Sequence, residues 1–278
     1  MNPIAQHRNA LCQWLSDCPG AVIAFSGGVD SAVVARASFE ILGQRALAVT
    51  ADSPSLARIE LDQAMQLAKR IGIEHRVVST GEVADPAYLV NDSQRCFHCK
   101  SHLFQKLQTL DEVRLAGWWI LTGTNRDDLG DWRPGLRAAA ENAVRSPLAE
   151  LAIDKAAVRG LAAQWDLSVA DKPASPCLAS RIAYGVAVSP ERLAKVEAAE
   201  GVLRQLGFTE FRVRLHAGEL ARIEIPPQQL GILIQPQVRE QLAAEFRQLG
   251  FQFVTLDLEG FASGSLNRLI QIQAPSQH

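Results

Sequence analysis

Short β-branched apolar runs alternate with longer amphipathic stretches through the first half of the chain. Residues 21–25, 46–50, 75–78 and 118–122 have the length and residue types of strands, whereas 31–42 and 55–71 repeat apolar positions at helical spacing. Strands separated by helices in this way form βαβ units around a parallel sheet covered on both faces, with ligands at the carboxyl ends of the strands. After about Pro173 the pattern changes. A helix over 189–206, strands near 211–215 and 220–225, a helix over 236–249 and a strand over 251–256 predict a compact α+β unit. Ser189, Pro190 and Glu191 start the first of these helices with a hydroxyl N-cap, a proline at N1 and an acid in the first turn. No internal repeat or low-complexity segment interrupts the chain, and the tail 274–278 is expected to fray. The predicted architecture is an α/β, Rossmann-like nucleotide-binding domain over 1–172 and a smaller α+β domain over 173–278.

Composition agrees with two domains: 278 residues, 47% of them hydrophobic, can bury two cores. A formal net charge of -2 gives no general attraction to a phosphate polymer, so composition lends no support to a nucleic-acid partner. Residues 1–15 mix Gln6, His7, Arg8 and Asn9 with apolar residues and lack both a signal-peptide core and a bilayer-spanning run, so a soluble, cytoplasmic protein is expected. Five cysteines, an odd number in a chain large enough to fold without staples, favour metal or redox chemistry over a disulfide framework.

The strongest local signal is Ser26-Gly27-Gly28-Val29-Asp30-Ser31, directly after a predicted strand and opening a helix. Two glycines let the backbone approach an anion, the amides at the helix start bind it, and Ser26 and Ser31 add hydroxyls. No lysine follows, so this phosphate cradle is not a Walker loop. It resembles the pyrophosphate loop of the ATP pyrophosphatases, which cleave ATP between its α and β phosphates. That resemblance implies that the loop holds the leaving pyrophosphate and that Asp30 helps to place Mg²⁺. Asp52-Ser53, past the second strand, and Gly123-Thr124-Asn125 with Asp127 and Asp128, past the fourth, reach the same sheet edge. These loops are candidates to contact adenosine, α-phosphate or metal. The paired aspartates read equally well as Mg²⁺ ligands or as a solvated helix start.

Cys96 and Cys99 flank Phe97-His98, and Cys177 follows much later, four residues before Arg181. Three thiolates suit a [4Fe-4S] cluster with one open iron, zinc with His98 as fourth ligand, or a disulfide-persulfide relay. Arg181 favours a thiolate at Cys177. Cys12 and Cys18, in and after the first helix, read as small buried or surface thiols. In the second half Arg212 and Arg214 alternate with Phe211, Val213 and Leu215, which puts both guanidiniums on one strand face, suited to a phosphate monoester or simply solvated. Glu200 lies at the edge of the apolar stripe of Leu193, Val196 and Leu203, where it can bind a metal, orient Arg212 or remain a solvated charge; Glu197 sits on a neighbouring line of the helix.

The cradle, Arg95-Cys96-Phe97-His98-Cys99-Lys100, Gly123-Thr124-Asn125-Arg126-Asp127-Asp128, Asp131-Trp132-Arg133-Pro134-Gly135, Arg145-Ser146-Pro147-Leu148 and Cys177-Leu178-Ala179-Ser180-Arg181-Ile182 occur in one order. That series resembles the LarE family over nearly the whole chain. LarE proteins are sulfur transferases that build the nickel-pincer nucleotide cofactor of lactate racemase. The resemblance implies adenylation of the carboxylates of pyridinium-3,5-biscarboxylic acid mononucleotide, their conversion to thiocarboxylates, and a homo-oligomer, often hexameric. In one branch a single cysteine, matching Cys177, is sacrificed as sulfur donor. Cys96 and Cys99 depart from that branch and resemble the other, in which three cysteines hold a [4Fe-4S] cluster carrying sulfide from an external source. Three alternatives stand beside this reading: a tRNA thiolase or amide-forming synthetase, LarE chemistry with a sacrificial Cys177, and a non-enzymatic nucleotide sensor with a zinc site.

Overall fold

The computed structural model describes residues 3–130, 134–262 and 266. Of the sequence features above, Asp131, Trp132, Arg133 and the tail 274–278 lie outside the described residues. Contacts divide the chain into two compact units, Met1–Glu82 with Cys96–Ser175, and Val83–Arg95 with Pro176–His278.

The first unit is built on four parallel strands, β1 (Ala21–Ala24), β2 (Ala46–Asp52), β3 (Glu74–Ser79) and β4 (Trp119–Leu121), in the order β3-β2-β1-β4. Ala21 and Ile23 of β1 enter one apolar cluster with Leu11, Leu15, Val33, Val34, Leu67 and Leu161. Val22 points the other way, into a second cluster with Leu47, Val49, Phe104, Leu107 and Ile120. Both faces of β1 are therefore buried, which is why this strand reads as a continuous apolar run. Helices α1 (Pro3–Ser16), α2 (Val29–Leu42), α3 (Arg58–Ile71), α4 (Arg95–Gln108), α5 (Pro134–Glu141) and α6 (Lys155–Gln164) supply the covering side chains. The helix expected from residue 55 begins instead at Arg58. The Ser53 hydroxyl accepts from the Ser55 amide at 3.0 Å and Arg58 binds the carbonyls of Ser53 and Leu56, so local side-chain bonds hold a turn where the helix would start.

Strand order reverses at β1: the chain moves from β1 to β2 and β3 on one side, then returns to β4 on the other. Such a switch point opens a crevice at the carboxyl ends of β1 and β4.

The second unit holds α7 (Pro190–Gln205), strands β5 (Arg212–His216) and β6 (Leu220–Glu224), α8 (Pro236–Gln248) and β7 (Phe253–Leu256). β5 and β6 form an antiparallel hairpin, and β7 joins β6 in parallel. Ser189 caps α7 by accepting the Arg192 amide at 3.3 Å. The alternation of β5 and β6 buries Val213, Leu215, Ala221 and Ile223, while Arg212, Arg214, His216, Arg222 and Glu224 share the opposite face.

Candidate functional site

The phosphate cradle sits at the switch point. Gly27 turns the chain with φ +73°, and a Cβ there would also lie 2.9 Å from that of Ala64 in α3. The loop satisfies itself: Ser31 Oγ accepts from the Ser26 amide at 3.3 Å and donates to the Gly28 carbonyl at 3.0 Å, and Ser26 Oγ accepts from the Gly28 amide at 3.3 Å. Gly28 is the N-cap of α2 and brings no side chain to its first-turn amides, so the positive end of the helix is presented to an anion. Asp30, in that first turn, is held by Asn125 Nδ2 at 3.0 Å and by Lys155 Nζ at 2.5 Å.

The loop after β4 docks on this helix start with almost no clearance. A Cβ on Gly123 would stand 2.5 Å from the Ser31 nitrogen and 2.7 Å from the Asp30 carbonyl carbon. Beyond it, buried Asn125 accepts the amides of Asp127 and Asp128 on Oδ1 at 2.9 and 3.3 Å, and its own amide donates to Asp128 Oδ2 at 3.1 Å. The two aspartates separate in role. Asp128 lines a cavity of about 300 Å³ together with Ser26, Asp30, Ser31, Thr124 and Lys100. Asp127 faces away, accepts the Lys155 amide at 3.0 Å and pairs with Arg126; the Lys155 amide and the guanidinium hold its carboxyl below the usual range.

Asp52 ends β2, on the other side of β1, and is paired with Arg58 at 2.6 Å. Deeper in the sheet, Thr50 Oγ1 donates to the Phe25 carbonyl at 2.7 Å and therefore accepts from His75 Nε2 at 2.8 Å, which fixes the ring tautomer. Burial lowers the pKa of His75, so the neutral ring is the one the fold favours. Lys155, the cation beside Asp30, escapes the sequence reading, and Lys100, the cation in the cavity, is quoted there only as the end of the Cys96–Cys99 motif, with no role of its own. Neither lies in the cradle motif or at a strand end.

Cys96 and Cys99 lie in the first turns of α4 in the first unit, the former exposed and the latter half-buried. Exposed Cys177, in the second unit, is the N-cap of a single 3₁₀ turn, Leu178–Arg181. Arg181 is only 4% exposed: its Nη1 donates to the carbonyls of Pro176 and Cys177, the latter at 3.0 Å, and its Nε donates to Glu200 at 3.0 Å. Its charge is taken up by that carboxylate, and what it fixes is the backbone at Cys177. Glu200 also accepts the Val213 amide at 3.2 Å, so this buried carboxylate serves Arg181 and β5, and makes no direct bond to Arg212 among the described residues.

Arg214 is buried against Glu224 at 2.8 Å and donates to the Ser180 carbonyl at 3.1 Å. Arg212 has no carboxylate partner among the described residues; it donates to the Phe211 carbonyl at 2.7 Å and its guanidinium lies 5.0 Å from the Phe261 ring centroid. Burial first, then repulsion from Arg181 and Arg214, pulls its pKa down to about 10. A half-buried guanidinium crowded by like charges is poised to accept an anion, which would relieve both effects.

Among the described residues, no group of three or more His, Cys, Asp or Glu side chains is arranged to hold a metal ion, and no helix is long and apolar enough to cross a membrane. The NAD synthase family matches residues 8–96, the stretch that contains the cradle. An uncharacterized protein of Synechocystis sp. is 46% identical over 260 residues, covering 94% of this chain and 96% of that one. The pyridinium-3,5-bisthiocarboxylic acid mononucleotide synthase of Lactiplantibacillus plantarum is 34% identical over 270 residues, 96% of each chain. A 62-residue stretch is 45% identical to the 7-cyano-7-deazaguanine synthase of Novosphingobium aromaticivorans, over 22% of this chain and 26% of that enzyme.

Proposed function

The chain belongs to the pyridinium-3,5-bisthiocarboxylic acid mononucleotide synthase (LarE) family of ATP-dependent pyrophosphate-loop enzymes, and we propose that it turns the carboxylates of pyridinium-3,5-biscarboxylic acid mononucleotide into thiocarboxylates. The observation that carries this reading is the cradle itself, a preorganised anion site at the switch point, braced by Gly123 and Asn125 and opening on a cavity that holds a lysine and two aspartates.

A carboxylate is a poor acyl donor because its oxygen is a bad leaving group. In the first step a substrate carboxylate oxygen attacks the α-phosphorus of ATP, the bond to the bridging oxygen of the β-phosphate breaks, and pyrophosphate departs with that electron pair. The amides of Gly28 and the α2 first turn, with Ser26 and Ser31, hold the departing pyrophosphate, and Lys100 supplies positive charge where negative charge develops. Asp30 and Asp128 are oxygen donors of the kind Mg²⁺ takes, and Gly123, Thr124 and Asn125 fix the wall beside it. Asp52, at the neighbouring strand end, is offered to the adenosine side.

In the second step sulfide attacks the acyl carbon, the carbon–oxygen bond to AMP breaks, and AMP leaves with its pair, so that sulfur replaces oxygen without a redox change. None of Cys96, Cys99 and Cys177 is in a disulfide, and their thiolates are donors of the type a [4Fe-4S] cluster takes. Such a cluster would supply an open iron to bind hydrosulfide. Arg212 and Arg214 occupy the strand face suited to the substrate phosphate, Arg212 carrying the charge that no described carboxylate neutralises, while Arg181 and Glu200 hold the Cys177 turn. Assembly as a homo-oligomer and residence in the cytoplasm belong to the same reading.

Purification without oxygen, followed by iron and sulfide analysis, tests the ligand set. The wild type is expected to hold close to four iron atoms per chain. Cys99→Ser is expected to lose most of that iron together with sulfur transfer. A Cys99→Ser protein that keeps both would exclude Cys99 as a ligand, and zinc in colourless wild type would favour the nucleotide-sensor alternative.

A further inference from the structure

Residues 83–95 interrupt the first unit in sequence but belong to the second. This segment carries Asn91, 0% exposed and held at φ +58°. Asparagine adopts that left-handed backbone more readily than other residues with a Cβ. Its carboxamide nitrogen donates to the carbonyls of Ile182, Ala183 and Val186 at 3.3, 2.9 and 2.8 Å, and its main-chain carbonyl accepts the Gly185 amide at 3.2 Å. Three carbonyls converge on one terminal atom, so that atom must be the nitrogen.

The remaining side-chain oxygen accepts from Nη1 of Arg95, itself 5% exposed. The same Nη1 reaches the Ala179 carbonyl at 2.8 Å, and the guanidinium lies 5.6 Å from the ring centroid of Tyr184. The pair therefore ties down Ala179, Ile182, Ala183, Gly185 and Val186, the segment that immediately follows Cys177. From the other side Arg181 grips the carbonyls of Pro176 and Cys177. Exposed Cys177 begins a short 3₁₀ element, its carbonyl also taken by the Ser180 hydroxyl at 2.6 Å, and these two sets of bonds hold the backbone on which it sits.

We propose that Asn91 and Arg95 are positioning residues for sulfur transfer: they lock the backbone after Cys177 so that its sulfur is presented in one place. The inference rests on the reading that Cys177 takes part in sulfur delivery. Neither residue lines the cradle cavity, so adenylation should not depend on them. A sub-ångström need of this kind falls on the step in which sulfur meets the acyl carbon.

The test compares two activities in the full chain purified without oxygen: pyrophosphate exchange into ATP that depends on the pyridinium dicarboxylate, and thiocarboxylate formation with sulfide supplied. Asn91→Gly keeps the backbone freedom and removes the carboxamide. It is expected to hold exchange within about twofold of wild type while thiocarboxylate formation falls at least about tenfold. Arg95→Met should show the same split, and Arg95→Lys, which retains charge and a donor, should recover part of the transfer. Wild-type transfer in Asn91→Gly, or a proportional fall of both activities, would overturn the proposal. If Asn91→Gly does not fold, the Arg95→Met and Arg95→Lys pair decides by the same ratio. Cys177→Ser is measured alongside: loss of transfer there with full transfer in Asn91→Gly defeats positioning alone, whereas retained transfer in Cys177→Ser removes the reading beneath it as well.

Discussion

Gly123→Ala is expected to lower pyrophosphate release from ATP by about a hundredfold, the scale on which a displacement of about 1 Å at a reacting site acts. The added methyl would fall 2.5 Å from the Ser31 nitrogen and 2.7 Å from the Asp30 carbonyl carbon. Both are backbone atoms of the helix start that binds phosphate, so no side chain can swing aside, and the loop after β4 or the start of α2 must shift. Forcing an extra methyl into such a contact costs about 1–3 kcal/mol in stability. The shift also drags Asn125 away from Asp30, whose carboxylate it holds at 3.0 Å. Gly130→Ala is the control: nothing among the described residues lies within 4 Å of a Cβ there and its backbone needs no positive φ. Equal turnover by the two variants would show that the close packing of Gly123 is irrelevant to the site.

The second large effect falls on Glu200. Glu200→Leu leaves Arg181, with a side chain only 5% exposed, without its carboxylate, and removes the acceptor of the Val213 amide. An uncompensated buried charge costs about 3–5 kcal/mol, a large share of the stability of an ordinary domain. Glu200→Gln keeps one acceptor oxygen for Arg181 Nε and the Val213 amide, but loses the charge and the second oxygen that accepts from Arg181 Nη2, so it should fall between Leu and wild type. Urea unfolding measures the difference. A loss below about 1 kcal/mol in the leucine variant is what a solvent-screened surface pair would give, and would contradict the buried arrangement.

What the sequence disclosed, and what it withheld, follows from the range of the interactions involved. The cradle is legible because its chemistry is local: a strand must end, a glycine must turn with positive φ, hydroxyls must follow within a few residues, and a helix must begin. The alternation that places Arg212 and Arg214 on one strand face is local too. Their different fates are not. Glu224 neutralises Arg214 only because the hairpin brings β6 into register, with Arg212 opposite Glu224 and Arg214 opposite Arg222. Lys155 reaches Asp30 across 125 positions, and nothing near either residue announces the pair. Residues 83–95 look like a connector, yet the carboxamide of Asn91 binds carbonyls some 91 to 95 positions away. Glu200, at the edge of an apolar stripe, resembles a boundary charge in sequence; only the fold shows it buried under Arg181.

The account stands or falls on whether one chain both adenylates the carboxylate and replaces its oxygen by sulfur. Mass analysis of the small molecules, after incubating oxygen-free wild type with ATP, Mg²⁺, sulfide and pyridinium-3,5-biscarboxylic acid mononucleotide, measures both at once. The predicted result is thiocarboxylate product with one AMP and one pyrophosphate for each sulfur inserted. Pyrophosphate release that ignores the dicarboxylate, or its consumption with ammonia in place of sulfide to give an amide, would contradict it.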